Sequence, residues 1–218
     1  MNDSVPPPLF FCDISFPTSS FSLSYGISRR IDGDMKEQKA LARFCHSAAI
    51  NSSSLVLMNQ VHGKKIYFVD SSFSQGEQGP SYIPGVDALI CTQKDITLGI
   101  LTADCVPIFM VEEKLRVISA IHAGRAGVEQ HIEKEVIKEF DRLDVARKDI
   151  IVLIGPSIGP CCYPVNLAEI LTLSLQEEGV SQIFTRKICT SCYVNTFFSY
   201  NKEKGMTGRM LSYITINP

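Results

Sequence analysis

The sequence predicts a domain of the mixed α/β class, and three observations support this prediction. Several short apolar runs are typical of buried strands, and the clearest lie at 106–111, 117–121 and 150–154. An amphipathic helix is predicted from 128 to about 143, because apolar side chains recur there every four residues. The chain has 218 residues, of which 45% are hydrophobic, so it is long enough to bury the core of a single domain.

The first third of the chain combines one helix with strand-like runs. The N-terminal residues are rich in Pro, Ser and Phe, and we expect an irregular or edge-strand segment there. Asp34 is predicted to cap a helix that runs to about Ala49, since apolar side chains follow it at helical spacing. Strands are predicted at 55–61 and 66–70, and His62 lies at the break between them.

A polar loop rich in Gly and Pro, residues 71–85, is predicted next, either as a lid or as a connector. It leads through strands at 86–91 and 96–102 into the central part of the chain. There Cys105 precedes one apolar run and His122 follows the next. Two neighbouring strands joined by a short turn can deliver such side chains to one shared site.

The last third contains a strand at 150–154 and then a loop, 155–163, whose glycines permit close approach of the backbone to a ligand. Asn166 is predicted to cap a helix that ends at Gly179. A final strand is predicted at 210–216.

Charge and hydropathy argue against several classes of partner. The formal net charge of −2 gives no electrostatic reason to expect binding to nucleic acid or to an anionic membrane. No apolar run approaches the roughly 20 residues that a membrane-spanning helix needs. The N-terminal residues lack the basic start of a signal peptide. We therefore expect a cytoplasmic protein without a nucleic-acid or membrane partner.

The eight cysteines are interpreted mostly as reduced thiols, because they are scattered through a chain that has a sufficient core without disulfides. Cys161 and Cys162 are adjacent and are not expected to bridge each other. Cys189 and Cys192 form one CxxC pair. One such pair without a second is weak support for a zinc or redox site, so we interpret these two as ordinary thiols.

His62, Cys105 and His122 form a candidate set of three metal ligands. Two imidazoles and a thiolate suit zinc, and three protein ligands leave a fourth position for water or substrate. Copper accepts the same ligands, although the chain has no His-x-His pair of the kind that multicopper oxidases use. A third alternative needs no metal, with Cys105 as nucleophile and His122 as its base. The residues alone leave these three alternatives open.

Several short motifs resemble, in this order, the motifs of one protein family. They are Asn59-Gln60-Val61-His62-Gly63, Asp87-Ala88-Leu89-Ile90, Thr102-Ala103-Asp104-Cys105-Val106-Pro107, His122-Ala123-Gly124, Ile154-Gly155-Pro156-Ser157-Ile158-Gly159, Cys189-Thr190, Phe197-Phe198-Ser199-Tyr200 and Thr207-Gly208-Arg209. The family is the laccase-domain family, described both as multicopper polyphenol oxidoreductases and as purine nucleoside phosphorylases with adenosine deaminase activity. The resemblance begins at about residue 25, so we expect an N-terminal extension at 1–24 and a laccase-like domain at 25–218.

This resemblance implies a fold, a metal and an activity. The implied fold is a layered α/β/β/α sandwich of mixed sheets, with zinc at His62, Cys105 and His122. The implied activity is phosphorolysis of inosine, adenosine and methylthioadenosine, together with deamination of adenosine, by a monomer or small homo-oligomer. Related proteins also imply two alternatives: a metal-free Cys-His hydrolase and a peptidoglycan editing factor that acts on muropeptide precursors.

Site residues are assigned on the same resemblance. The candidate catalytic residues are Cys105, His122 and Asp104. The candidate residues for binding substrate or phosphate are Arg30, Asn59, Gln60, Arg125 and Cys162.

The chain departs from the family's motifs at three places. The family's His-Ala-Gly-Trp-Arg-Gly is replaced by His122-Ala123-Gly124-Arg125-Ala126-Gly127, and the chain contains no Trp. The family's Ser-Thr-Arg is replaced by Ser28-Arg29-Arg30, and the Arg that follows Phe-Phe-Ser-Tyr is Asn201. We therefore predict that Arg125 supplies the charge that the altered turn has lost, with Arg30 as the second candidate.

Overall fold

The computed structural model describes residues 22–70, 73 and 79–217. In chain order its strands are β1 (Leu23–Ile27), β2 (Leu55–Asn59), β3 (Ile66–Val69), β4 (Ser81–Pro84), β5 (Ala88–Cys91), β6 (Thr97–Thr102), β7 (Val106–Glu112), β8 (Val117–Ala123), β9 (Ile151–Ile154), β10 (Gln182–Thr185) and β11 (Met210–Ile216). Its helices are α1 (Gln38–Ser47), α2 (Arg125–Glu129), α3 (Ile132–Arg142) and α4 (Leu167–Glu177). Most of the predicted 1–24 extension and the central part of the 71–85 loop lie outside the described residues.

The strands form two mixed sheets. The first sheet has the order β1-β11-β6-β2-β4, in which β2 runs parallel to both of its neighbours. The second sheet has the order β10-β9-β7-β8-β5-β3 and is built around an antiparallel β7–β8 hairpin. The two edge pairs of the second sheet, β10–β9 and β3–β5, are parallel.

Alternate side chains of each strand enter different apolar layers, as the two-residue repeat of a strand requires. In β2, Leu55 and Leu57 pack with α1, whereas Val56 faces the core between the sheets. In β7, Ile108 packs under the helices that cover the second sheet, whereas Phe109 faces the core between the sheets. The result is the predicted α/β/β/α sandwich, with α1 on one outer face and α2, α3 and α4 on the other.

The structure corrects two helix predictions. Asp34 does not cap α1, because its carboxylate accepts the backbone N–H groups of Lys36 and Arg209, and the helix begins at Gln38. The helix predicted from 128 to 143 is two helices, because His131 adopts a left-handed conformation with φ of 56° that an α-helix cannot continue through.

Two short edge strands were not predicted. Strand β4 lies within the supposed loop and ends at Pro84, and β10 follows α4 with a partly exposed, mixed sequence. Both lie at the edge of a sheet, where a strand is half solvated and needs no apolar run. Within the described residues, no helix combines the length and the apolar character that crossing a membrane requires.

Candidate metal centre and active site

Cys105 lies where the chain crosses from one sheet to the other. Strand β6 of the first sheet ends at Thr102, and β7 of the second sheet begins at Val106. The crossing turn is sharp, since Asp104 has a positive φ of 87°. Its backbone oxygen accepts the N–H of Ile158 at 2.9 Å, which joins the crossing to the 155–163 loop.

The Asp104 carboxylate is buried and accepts three hydrogen bonds. The donors are the hydroxyl groups of Thr190 at 2.6 Å and Ser199 at 3.1 Å, and the backbone N–H of Asn201 at 2.7 Å. These contacts tie the crossing turn to the C-terminal third of the chain and hold the neighbouring Cys105 in place.

His62 is positioned by a tight turn after β2. The residue has a positive φ of 59°, and its backbone N–H donates to Asp87 Oδ1 at 3.0 Å. The same carboxylate accepts the N–H groups of Val61 and Gly63, at 3.2 and 2.7 Å. Three successive backbone donors thus bind one buried carboxylate, which fixes the direction of the exposed His62 side chain.

His122 lies one residue before the end of β8 and is only 2% exposed. Its Nδ1 is 2.8 Å from Asp87 Oδ1, so an Nδ1–H donated to the carboxylate leaves Nε2 with a free lone pair. Burial lowers the pKa of His122, and the contact with Asp87 opposes this only in part. The imidazole is therefore neutral at pH 7, as a metal ligand must be.

The three predicted ligands converge. Cys105 Sγ is 3.8 Å from His62 Nε2, and the two imidazole rings lie edge to face with centroids 4.8 Å apart. One ligand atom of each residue lies within 4.8 Å of the other two, so the group can hold a metal ion. Burial raises the pKa of the Cys105 thiol to about 11, the Asp104 carboxylate adds to the rise, and Arg209 opposes it. A metal cation bound beside the sulfur would lower this pKa and favour the thiolate.

Gly124 leaves the space that these ligands occupy. A Cβ at this position would lie 2.6 Å from Cδ2 of His62 and 3.2 Å from Sγ of Cys105. The first distance is far below van der Waals contact, so a larger residue would displace the histidine. The glycine also precedes the short helix α2, as predicted for a sharp strand-to-helix turn.

The ligand group lies at the wall of a cavity of about 1120 Å³. The cavity is also lined by four cationic residues, Lys36, Arg125, Lys204 and Arg209, and by three tyrosines, Tyr82, Tyr163 and Tyr200. This combination offers cations for an anionic group and flat apolar faces for a planar ring.

Only some of the residues that were assigned to substrate or phosphate line the cavity. Asn59, Gln60 and Arg125 line the cavity, whereas Arg30 and Cys162 are not among its lining residues. The amide of Gln60 is bound to the backbone of Leu101 by two hydrogen bonds, at 2.8 and 2.9 Å.

The arginines that were predicted to bind phosphate both have carboxylate partners. Arg125 is 57% exposed and donates to Glu129 at 2.8 Å. The Arg30 guanidinium pairs with Glu203 at 2.7 Å and lies 4.4 Å from the centre of the Phe198 ring. Arg30 therefore serves the packing of the C-terminal segment.

Two residues of the site were given no role from the sequence. Asp87 organises both histidines, and the available signal was an acidic residue directly before a fully buried strand. Arg209 lines the cavity and, within the described part of the chain, forms no ion pair. Its guanidinium donates to the backbone oxygens of Thr207 and Gly208 and lies 5.8 Å from the Tyr200 ring centre.

Known proteins resemble this chain in sequence and in fold. The chain is 33% identical over 195 residues to purine nucleoside phosphorylase YlmD of Geobacillus stearothermophilus, with 73% of this chain and 71% of the relative covered. It is 31% identical to purine nucleoside phosphorylase SCO2081 of Streptomyces coelicolor, with 78% of each chain covered.

Solved structures are similar over nearly the whole chain. The crystal structure of YlmD from Geobacillus stearothermophilus superposes with a TM-score of 0.82 and 27% identity, covering 90% of this chain and 92% of that one. The Bacillus licheniformis protein YfiH has the same fold, with a TM-score of 0.82, 21% identity, and coverage of 89% and 93%. A family model for multi-copper polyphenol oxidoreductase laccase matches residues 17–168 and 164–217. The chain therefore belongs to the multi-copper polyphenol oxidoreductase laccase family.

Proposed function

We propose that this protein is a zinc-dependent enzyme of purine nucleoside metabolism. The reactions are phosphorolysis of inosine, adenosine and methylthioadenosine, and deamination of adenosine. The observation that carries the proposal is the convergence of His62, Cys105 and His122 at the wall of a large cavity with cationic residues. The relatives named purine nucleoside phosphorylase support the choice of substrate class.

The three ligands fit zinc. Two imidazole nitrogens and one thiolate sulfur are donors that zinc prefers, and a set of three leaves a coordination position open. The Asp87 contact to His122 is the carboxylate–imidazole arrangement that orients metal-bound histidines. Bound zinc would lower the pKa of a coordinated water to about 7 and polarise a coordinated substrate atom. Copper accepts the same donors and is the alternative ion.

Arg209 is the residue to which we assign the phosphate. It lines the cavity, has no carboxylate partner within the described residues, and lies near enough to Cys105 and His122 to influence their pKa values. Lys204 and Lys36 line the same cavity and add positive charge. Arg125 is assigned a smaller part in binding phosphate, because Glu129 already neutralises part of its charge.

The remaining residues orient the nucleoside and keep the site rigid. We assign the purine ring to the tyrosine-lined part of the cavity, where a flat ring can stack on an aromatic face. Asn59 lines the cavity and offers an amide to the polar edge of the base or sugar. In phosphorolysis a phosphate oxygen forms a bond to C1′ of the ribose as the bond from C1′ to the purine nitrogen breaks. Asp104 acts as a positioning residue, since its carboxylate is occupied by three donors.

A nucleoside panel with and without phosphate tests this function. Inosine, adenosine and methylthioadenosine are incubated with zinc-loaded and chelator-treated protein, and the free bases are separated by chromatography. Phosphate-dependent release of hypoxanthine from inosine that disappears on chelation supports the proposal. A matched His62→Ala variant should be inactive in both preparations.

The same assay separates the alternatives. Turnover that survives metal removal but stops on thiol alkylation would indicate a Cys-His hydrolase with Cys105 as nucleophile and His122 as its base, whose ligand atoms lie within 4.8 Å of each other. Copper-dependent oxygen consumption with phenols would indicate a polyphenol oxidoreductase. Cleavage of muropeptide precursors, without nucleoside turnover, would indicate an editing factor.

A further inference from the structure

Four cysteines outside the catalytic site meet on one surface of the molecule. They are Cys161, Cys162, Cys189 and Cys192, and their four sulfur atoms all lie within 4.8 Å of one another. We call this group the thiol cluster. Cys192 Sγ is 3.4 Å from Cys161 Sγ and 3.5 Å from Cys162 Sγ. All four are free thiols, and none of them lines the cavity described above.

The cluster is built by two loops that are hydrogen-bonded to each other. The bend after Gly159 is closed by the N–H groups of Cys162 and Tyr163, which donate to its backbone oxygen at 3.0 and 3.1 Å. The second loop pairs with the first through a parallel bridge between Ser157 and Cys189. One cysteine of each pair, Cys162 and Cys189, is therefore placed by backbone contacts, as a preorganised ligand set requires.

Cys189 is in the environment of a thiolate. Its sulfur accepts the backbone N–H of Gly159 at 3.2 Å, and the nearby backbone N–H of Cys192 donates to the Cys189 backbone oxygen at 3.1 Å. Burial acts to raise the pKa of Cys189, but these donors and the neighbouring thiols outweigh it and lower the pKa to about 7. Backbone N–H groups directed at the first sulfur of a CxxC pair stabilise a thiolate ligand.

We propose that the thiol cluster is a second, structural metal site that binds one Zn²⁺ through four thiolates. A tetrahedral ion with Zn–S bonds of roughly 2.3 Å separates its sulfurs by about 3.8 Å. The sulfur–sulfur distances of 3.4 and 3.5 Å are close to this value, and all four sulfurs lie within 4.8 Å of one another. Binding requires all four thiols in their deprotonated form and leaves a site of net charge −2 that solvent reaches on its outer side.

An ion bound in the thiol cluster would stabilise the loop that supports the turn between β6 and β7, which carries Cys105. Ile158 and Thr190, one on each loop of the cluster, both bind Asp104, the residue before the ligand Cys105. Asn201, which also binds Asp104, donates to the backbone oxygen of Cys162 at 3.4 Å. A structural ion in the cluster would thus stabilise the wall of the active site without contacting substrate. The proposal does not depend on the proposed function, because it concerns the cluster alone.

Metal content of single-ligand variants tests the proposal. The protein is expressed in zinc-supplemented medium and purified anaerobically with a reductant, and zinc is measured per chain by elemental analysis. Wild type should hold about two zinc ions, Cys192→Ser about one, and His62→Ala about one. Cys45→Ser, which alters a buried thiol outside both sites, should keep two. Cys161→Ser provides a second cluster variant in case Cys192→Ser does not fold.

Cobalt substitution gives an independent readout. Cobalt bound to four thiolates absorbs far more strongly in the near-ultraviolet charge-transfer region than cobalt bound to one thiolate. The strong band should be present in His62→Ala and absent in Cys192→Ser. One zinc ion per wild-type chain, with unchanged content in Cys192→Ser, would overturn the proposal. So would iron with visible absorption, or an intact mass short of two hydrogens that shows a disulfide in the cluster.

Discussion

Oδ1 of Asp87 lies 2.8 Å from Nδ1 of His122, and the same carboxylate binds the backbone of the turn that carries His62. One buried side chain therefore positions two of the three candidate metal ligands, on segments 60 residues apart in the chain. Burial acts to raise the pKa of Asp87, but the hydrogen bonds from His122 and the backbone of Gly63 and Val61 outweigh it, and the pKa lies below its usual value. The carboxylate is thus ionised at neutral pH.

Asp87→Asn should weaken metal binding without removing a ligand. The amide lacks the negative charge that orients His122 and makes its Nε2 a stronger metal ligand, so we expect metal affinity to fall by about 10- to 100-fold. Competition with a chromogenic chelator measures this affinity. Asp149→Asn is the matched control, because that carboxylate pairs with Lys114 at the surface. Equal affinity in Asp87→Asn and wild type would contradict the positioning role.

Gly124→Ala should disturb the metal centre sterically. The added methyl group would meet Cδ2 of His62 at 2.6 Å, so the histidine must move away and metal content should fall well below one ion at the catalytic site. Gly63→Ala is the control, since its methyl group would meet neighbours at 3.5 Å or more. Elemental analysis and circular dichroism report metal content and folding. Full occupancy in a folded Gly124→Ala protein would be incompatible with this geometry.

Arg209→Met should raise the KM for phosphate in inosine cleavage more than Arg125→Ala does. A charge-assisted contact is worth roughly 1.5–3 kcal/mol, which corresponds to about a tenfold to hundredfold change in KM for the Arg209 variant. The Arg125 variant should change KM less, because Glu129 already engages that guanidinium. Zinc content should stay the same in both variants. A larger change in the KM for phosphate in Arg125→Ala than in Arg209→Met would indicate that phosphate binds at the altered turn.

Acid should remove the stability that Glu203 contributes. Burial acts to raise the pKa of Glu203, but the hydrogen bonds from Arg30, the Ser199 backbone and Thr207 outweigh it and lower the pKa to about 2 from 4.5. Because the folded-state pKa is the lower one, this stability is present above about pH 4.5 and is lost as the pH falls towards 2.

Urea unfolding as a function of pH measures that contribution. Glu203→Gln should lower the free energy of unfolding by about 1–3 kcal/mol at pH 7, as expected for a partly exposed charge-assisted contact. The difference between the two proteins should shrink towards zero near pH 2. A difference that stays constant across this range would mean that the carboxylate charge has no part in it.

The sequence predicts the parts of the fold that depend on long local patterns. Strands β7 and β8 are mostly apolar and fully buried, and both were predicted because each buries side chains on two faces. The short edge strand β10 has no such pattern, since only its backbone pairing with β9 defines it. The break at His131 was also missed, because the apolar period continues across it while the backbone does not.

The candidate site shows the same division. His62, Cys105 and His122 could be predicted as a group because their chemistry is rare and each sits beside a strand end. The role of Asp87 could not, because it depends on the register that places the residue before β5 opposite the end of β8. The thiol cluster was missed for a related reason, because the partners of the CxxC pair are an adjacent pair on a loop about 27 residues earlier.

The crossing between Thr102 and Val106 has a consequence for folding. His62 follows a strand of the first sheet, whereas Cys105 and His122 border strands of the second, so an ion bound by all three clamps one sheet to the other. Thermodynamic reciprocity then requires that docking of the sheets and capture of the ion strengthen each other by the same free energy. A substitution that loosens the core between the sheets, such as Phe109→Leu, should therefore weaken metal binding although Phe109 is not a ligand. The metal content of such variants would then report how firmly the two sheets pack together.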